Sequence, residues 1–262
     1  SAVLAGSPMT ARVPSPGLMA RYRRDSEGGR EMSVSAAFTQ YLLTDAGSVR
    51  ERNEDDLLAR PEHGIWAVCD GMGGHDAGDY ASGYIVSELA GLRLPARHGN
   101  RIKAIKRCLH DCNRHLIEYA QANGFAHVGS TVVVLCLQQR RAALIWVGDS
   151  RAYRLRDQRL QMISRDHSVA EEMGVHAARA YSSAITRAIG ATAQLSIDMV
   201  CRESRRGDVW LLCSDGVSGV LDDAEMRSLL EQADDPAAEM VGLAIQSGSS
   251  DNCTAVVVRV DD

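Results

Sequence analysis

Four short apolar runs in this chain each meet an aspartate at one end. IWAVCD (65–70), RAALIWVGD (141–149) and VWLLCSD (209–215) run into theirs, and TAVVVRV (254–260) follows DNC (251–253). Apolar runs this short, bounded by Gly, Asp and Asn, have the length of buried strands rather than core helices. A single Asp at a strand end is ordinarily a turn former or a helix cap. Asp70, Asp149, Asp215 and Asp251, joined by Asp55 in RNEDD, make that reading harder to hold for the whole set. If the strands share a sheet their ends converge, and carboxylates brought together repel unless cations compensate.

The rest of the chain supplies the frame. Residues 76–92 have Tyr80, Tyr84, Ile85 and Leu89 near helical spacing. Across 100–122, Ile102, Ile105, Leu109, Cys112, Leu116 and Tyr119 form one apolar stripe that stops at Asn123-Gly124. Strands then follow with almost no helix between them: 130–137, 141–149, 152–156 and 159–164, which read as an antiparallel meander. Residues 165–199 are mixed in character, and helices are expected at 223–233 and 236–248. Strand clusters separated by helix pairs predict an α+β fold. The expected architecture is a four-layer α-β-β-α sandwich of two mainly antiparallel sheets, not a parallel βαβ winding.

Residues 1–33 are rich in Pro, Gly, Ser and Arg without periodicity, and read as a disordered leader or an expression remnant. The domain is expected over 34–262. With 29 basic and 34 acidic residues the net charge is −5, which argues against a nucleic-acid binder working through a basic field. Three Trp, seven Tyr and two Phe are few for stacking on single strands. No apolar run has the length of a membrane span. Seven cysteines, at 69, 108, 112, 136, 201, 213 and 253, include no C-x2-C pair and form no disulfide framework. The expected setting is therefore reducing and cytoplasmic.

Oxygen-only ligands without His or Cys select hard ions such as magnesium or manganese. Two such ions sharing a carboxylate suit phosphoryl chemistry, and Arg50 in GSVRERNED stands close enough in sequence to serve as a phosphate fork. Here a resemblance becomes specific. GSVRERNED (47–55), DGMGGH (70–75), GDSRAY (148–153), CSDGV (213–217) and DNCTAVVV (251–258) occur in this order. Together they resemble the motif series of the metal-dependent protein phosphatases, the type 2C serine/threonine phosphatases, in their bacterial form, over residues from about 34 to 260.

The resemblance implies a metal centre in a cleft at one end of two sheets, holding two manganese or magnesium ions and a weaker third. It implies that Asp70 bridges both ions, that Gly71 offers its carbonyl, and that Asp215 and Asp251 bind the second ion. Asp149 would serve the third, and Glu54 and Asp55 would hold metal-bound waters. Arg50 matches the phosphate-binding arginine and His75 the general acid. A hydroxide bridging the ions would attack phosphorus directly. The partners implied are phosphorylated proteins and a cognate serine/threonine kinase, with a forkhead-associated scaffold of a type VI secretion system as one setting; neither nucleic acid nor membrane is expected.

Other readings were weighed. A catalytically silent regulatory module on the same fold would be expected to have lost metal acids, yet Asp70, Asp215, Asp251 and Arg50 are all present. A small-molecule phosphatase on the same centre stays open. Cys108 to Arg114 matches C-x5-R, but it lacks Gly and sits in a periodic helix, so it reads as coincidence. GMGG is followed by no Lys-Ser or Lys-Thr and is not a P-loop. His110, His115, His167 and Gly129-Ser130-Thr131 read as structural. Gly219 stands where the family commonly has an acid, and a shortened flap between His167 and Gly190 predicts an open cleft with altered selectivity.

Overall fold

The computed structural model describes residues 38–73, 77–173 and 184–261. The expected leader, His75, and the middle of the expected flap lie outside the described residues. Two antiparallel sheets form the centre. In the first the order is β1 (Phe38–Asp45), β11 (Cys253–Val260), β10 (Val209–Cys213), β7 (Arg151–Arg156), β8 (Arg159–Met162). In the second it is β2 (Asp55–Arg60), β3 (Ile65–Met72), β5 (Val132–Gln138), β6 (Arg141–Val147), β9 (Asp198–Glu203), with the two-residue β4 (Gly129–Ser130) also on β3.

Side-chain alternation along each strand partitions the core into three layers. Trp66 and Val68 of β3, Val133 and Leu135 of β5, and Leu144 of β6 meet Trp210, Leu212, Val256 and Val258 between the sheets. Their neighbours Ile65, Ala67, Cys69, Val134 and Ile145 face outward onto two helices, α1 (Ala77–Gly91) and α2 (His98–Asn123). On the other side Leu211, Cys213, Ala255 and Val257 pack under α5 (Asp223–Gln232) and α6 (Pro236–Gln246). Strands buried on both faces read as unbroken apolar runs, which is why the central ones were plain in the sequence.

The helices stop and start for local reasons. Gly124 ends α2 in the left-handed conformation (φ 71°), as the Asn-Gly pair suggested. Asp222 caps α5 through the backbone N–H groups of Ala224 and Glu225, and Glu225 answers in a capping box. Pro236 occupies the first turn of α6 behind its Asp235 cap. Two short α-helices, α3 (Val169–Met173) and α4 (Asp215–Ser218), and a 3-10 turn at Pro61–His63 complete the described helices.

The expected meander is corrected. β5 and β6 form one hairpin and β7 and β8 another, but they belong to different sheets, because β6 pairs with β9 and β7 with β10. The chain changes sheet at Gly148, whose φ of +108° no β-branched or bulky residue would adopt readily. A Cβ at Gly148 would also lie 2.6 Å from the Thr131 side chain. That crossing delivers Asp149 to the seam between the sheets.

Candidate metal centre

Strand direction decides what meets at the ends of the sandwich. β3 and β10 reach their carboxylates at their C-terminal ends, while β2 and β11 begin at theirs, and these partners run antiparallel. Asp55 and Asp70 are directly opposite in register. Asp149 follows β6, Asp215 opens α4 just after β10, and Asp251 precedes β11. The five acids thus share one end of the two sheets.

Polar side chains hold them there. The Asp70 N–H donates to Thr131 Oγ1 at 3.1 Å, and the Thr131 N–H donates back to the Asp70 carbonyl at 2.8 Å. Thr131 Oγ1 also shares a 2.7 Å hydrogen bond with Ser150 Oγ, so one threonine links the Asp70 strand to the turn that carries Asp149. Asp55 Oδ2 accepts from Ser214 Oγ (2.7 Å) and Thr254 Oγ1 (2.6 Å), tying the second sheet to both central strands of the first. Gly71 donates its N–H to the Glu54 carbonyl at 3.1 Å, and its own Cβ, had it one, would lie 2.1 Å from the Gly78 carbonyl oxygen. No side chain would fit at that position. The Glu54 carboxylate lies against Gly78 at the start of α1.

The electrostatics follow from this crowding. Burial, then Asp55, Asp215, Asp149 and Asp251, push the Asp70 carboxyl well above the usual carboxylate range. Asp149 is pushed up to about 7 by burial and by Asp215, and Asp55 to about 7 chiefly by burial, against its two hydroxyl donors. Asp215 is raised by burial and Asp251. Glu54 is raised by burial, which Arg50 opposes. Asp149 Oδ1 and Asp215 Oδ1 are buried without any hydrogen-bond partner. Unpartnered buried carboxylate oxygens are costly, and these two face a cluster of like charge.

Arg50 lies at the exposed rim, its Nη2 donating to Asp251 Oδ2 at 2.8 Å. Its loop is fixed by Asn252, which the sequence reading passed over. The Asn252 amide donates to the carbonyls of Ala46 (2.9 Å) and Arg52 (2.8 Å), and its Oδ1 accepts from the Glu54 N–H (2.8 Å). Thr131, Ser150, Ser214 and Thr254 were likewise missed as site residues. Their only signal was being small and polar at the boundary of an apolar run.

The structural readings of several other residues agree with their placement. His167 is buried, accepts from the Gly148 N–H through Nδ1 at 3.1 Å, and faces Asp198 through Nε2 at 3.2 Å, so it braces the sheet crossing. Cys108 and Cys112 are buried in α2. His115 stacks on Tyr84 and meets the Tyr80 hydroxyl at 2.8 Å. At Gly219 the N–H donates to the Asp215 carbonyl at 2.7 Å, and a Cβ would collide with that same oxygen.

Among the described residues no three His, Cys, Asp or Glu side chains form a ready-made metal cage. Hard ions do not require one: magnesium-like sites use one or two carboxylates and keep several waters. The donor chemistry therefore fits divalent hard cations, with Asp149 Oδ1 and Asp215 Oδ1 as the buried oxygens awaiting partners.

Comparison with known proteins follows this geometry. The sequence pattern of the family described as Protein phosphatase 2C matches residues 42–253. The serine/threonine protein phosphatase PstP of Mycobacterium tuberculosis is 32% identical over 230 residues, which cover 84% of this chain and 44% of PstP. The chain thus spans less than half the length of that relative. Among solved structures, PppA, a key regulatory component of T6SS in Pseudomonas aeruginosa, is similar at TM-score 0.81 and 36% identity, over 86% of this chain and 98% of PppA. The catalytic domain of PstP in complex with two manganese ions is similar at TM-score 0.76 and 29% identity, over 86% of this chain and 99% of that domain.

Proposed function

Because the chain belongs to the protein phosphatase 2C family, we propose that it is a divalent-metal-dependent phosphoprotein phosphatase acting on phosphoserine or phosphothreonine. The observation that carries the reading is the gathering of Asp70, Asp149, Asp215 and Asp251 at one end of the sandwich, with two of their buried oxygens unpartnered. Their mutual repulsion is the state that bound cations would relieve.

In this reading Asp70, Asp215 and Asp251, with the Gly71 carbonyl, would hold two manganese or magnesium ions, and Asp149 would serve a weaker third. When bound, such ions supply positive charge for the phosphoryl oxygens and activate water at neutral pH. The chain's own residues do the rest. Glu54 and Asp55 would hold water at that site. Arg50, held between the Asn252-anchored carbonyls of Ala46 and Arg52, presents its guanidinium to the phosphate from the rim. It leaves Asp251 to do so, exchanging one anion for another. His75 protonates the departing serine or threonine oxygen.

Substrates are then phosphorylated proteins, and a serine/threonine kinase is the enzyme that produces them. The likeness to PppA supports a secretion-linked phosphoprotein as one such substrate, met in the cytoplasm. The test is phosphate release from a phosphothreonine peptide, with and without manganese, by the wild type and Asp215→Asn. The reading expects metal-dependent turnover that collapses in the variant. Manganese binding with no turnover of this peptide by the wild type would overturn it in favour of a silent module.

A further inference from the structure

The same strand directions that gather the acids at one end gather arginines at the other. β7 ends at Arg156 and β8 begins at Arg159, while β9 ends at Arg202-Glu203 and the next loop carries Arg205. Arg140 sits in the turn between β5 and β6, and Arg154 lies two residues back along β7. These arginines, with Arg141 at the start of β6 and Arg206 beside Arg205, lie among Asp157, Glu203 and Asp208, with Asp261 following β11 at the same end, in a chain whose net charge is −5. Arginine is thus concentrated at the end away from the clustered acids.

The crowding is unfavourable on its own terms. Arg156 and Arg159 are directly opposite across an antiparallel pair, where like charges destabilise. Arg154 is held below the usual arginine range by burial and by Arg156, Arg202 and Arg205, with Asp208 opposing. Its Nε is buried without a partner, and its guanidinium rests over the Trp210 ring at 5.9 Å. Asp208 and Glu203 are already engaged. Asp208 takes Arg156 as a two-pronged fork at 2.6 Å on each oxygen, and Glu203 is shared by Arg140 and Arg205, each at 2.7 Å. Arg159 and Arg202 are exposed and add charge that none of these carboxylates takes up. A recess of about 130 Å³ opens between Arg156, Arg205 and Asp208.

We propose that this arginine end is a docking surface for an acidic, Asp- and Glu-rich segment of the protein substrate, remote from the phosphorylated residue. The inference rests on the phosphoprotein reading above. Three features favour a carboxylate-bearing peptide over other polyanions. The guanidinium groups here already engage carboxylates in fork geometry, which suits them to more of the same. None of the large exposed apolar side chains, Val49, Met162, Met199 and Val220, lies in the turns that carry the arginines, so no wedge for a membrane is present there among the described residues. A flexible acidic segment can bring its carboxylates to each guanidinium in turn, which a rigid duplex with phosphates at fixed spacing cannot.

Strands of eight residues are about 26 Å long at roughly 3.3 Å per residue. A substrate must therefore bridge that length, and a flexible spacer of about 25 residues has a matching r.m.s. span. The test uses the full chain with manganese. A phosphothreonine peptide is compared with the same peptide carrying a Glu-rich tail on a 25-residue Gly/Ser spacer, for the wild type and the Arg159→Glu/Arg202→Glu double variant. The tail is expected to lower KM about tenfold at 50 mM salt with kcat unchanged, through raised local concentration. That gain should vanish in the variant and fade at 300 mM salt, while the tailless peptide is turned over equally by both proteins. In parallel, anisotropy of the labelled Glu-rich tail alone reports docking whether or not the chain hydrolyses anything, so failure of the catalytic reading is seen separately. A tail effect that persists in the double variant would overturn the proposal. So would tighter binding of phosphatidylserine vesicles or a DNA duplex than of the Glu-rich tail.

Discussion

Replacing Asn252 with Ala tests how the phosphate-facing loop is held. The side chain is 4% exposed and bonds three backbone groups that lie some 200 positions earlier in sequence. Each bond contributes about 1 kcal/mol net, and groups left buried and unpaired cost more, so the expected loss is about 3 kcal/mol. Equilibrium urea unfolding should show a lower midpoint with an unchanged slope, since the surface exposed on unfolding is the same. The catalytic consequence is separate. With Ala46 and Arg52 released, Arg50 samples more positions, and misplacement of about 1 Å is enough for a loss on the order of 100-fold. KM for a phosphothreonine peptide should rise, and an Arg50→Ala/Asn252→Ala double variant should be scarcely worse than Arg50→Ala alone. Asn252→Asp keeps the acceptor for Glu54 but turns a carboxylate oxygen toward two carbonyls, so it should be no more stable than the alanine variant. Stability of Asn252→Ala within about 0.5 kcal/mol of wild type would refute the idea that this amide holds the loop.

Three further outcomes follow from the same geometry. Asp55 and Asp149 have folded values near 7 against ordinary values of 3.8, so the folded metal-free protein binds more protons than the unfolded chain between those limits. Stability without metal should therefore fall as pH rises from about 4 to 7, and manganese should raise Tm more at pH 7.5 than at pH 5; thermal melts showing no manganese effect at pH 7.5 would count against the site. Asp215→Asn removes a carboxylate from the cluster, so it should raise the metal-free Tm at pH 7.5 while abolishing the manganese-dependent increment, read by the same melts. Gly71→Ala would place a Cβ 2.1 Å from one backbone carbonyl oxygen and 2.6 Å from another, so a loss of at least about 2 kcal/mol is expected in urea unfolding, and near-wild-type stability would show that the α1 junction yields easily.

What the sequence made legible was set by burial on both faces. The strands β3, β5, β6, β10 and β11 carry runs of four or more consecutive apolar residues facing one core layer or the other, so they stand out without alternation. β1, β2 and β9 are edge strands with mixed burial, and FTQYLLTD, DDLLAR and DMVCRE give no comparable signal, so none was singled out, whereas the edge strand β8 was found through the Asp157-Gln158 turn that joins it to β7. The meander failed for a different reason. Hairpin order is local, but the change of sheet at Gly148 depends on which distant strand each hairpin finds, β9 for one and β10 for the other. The candidate site divides in the same way. Its acids were visible because each interrupts an apolar run, whereas Asn252, Thr131, Ser214 and Thr254 act through hydrogen bonds to groups far away in sequence, and a small polar residue has no periodicity to betray its partner. The fixed strand directions connect the two levels: once antiparallel pairing places Asp55 against Asp70, the acids after β3, β6 and β10 and before β11 go to one end, and the turns carrying Arg140, Arg156 and Arg159 go to the other.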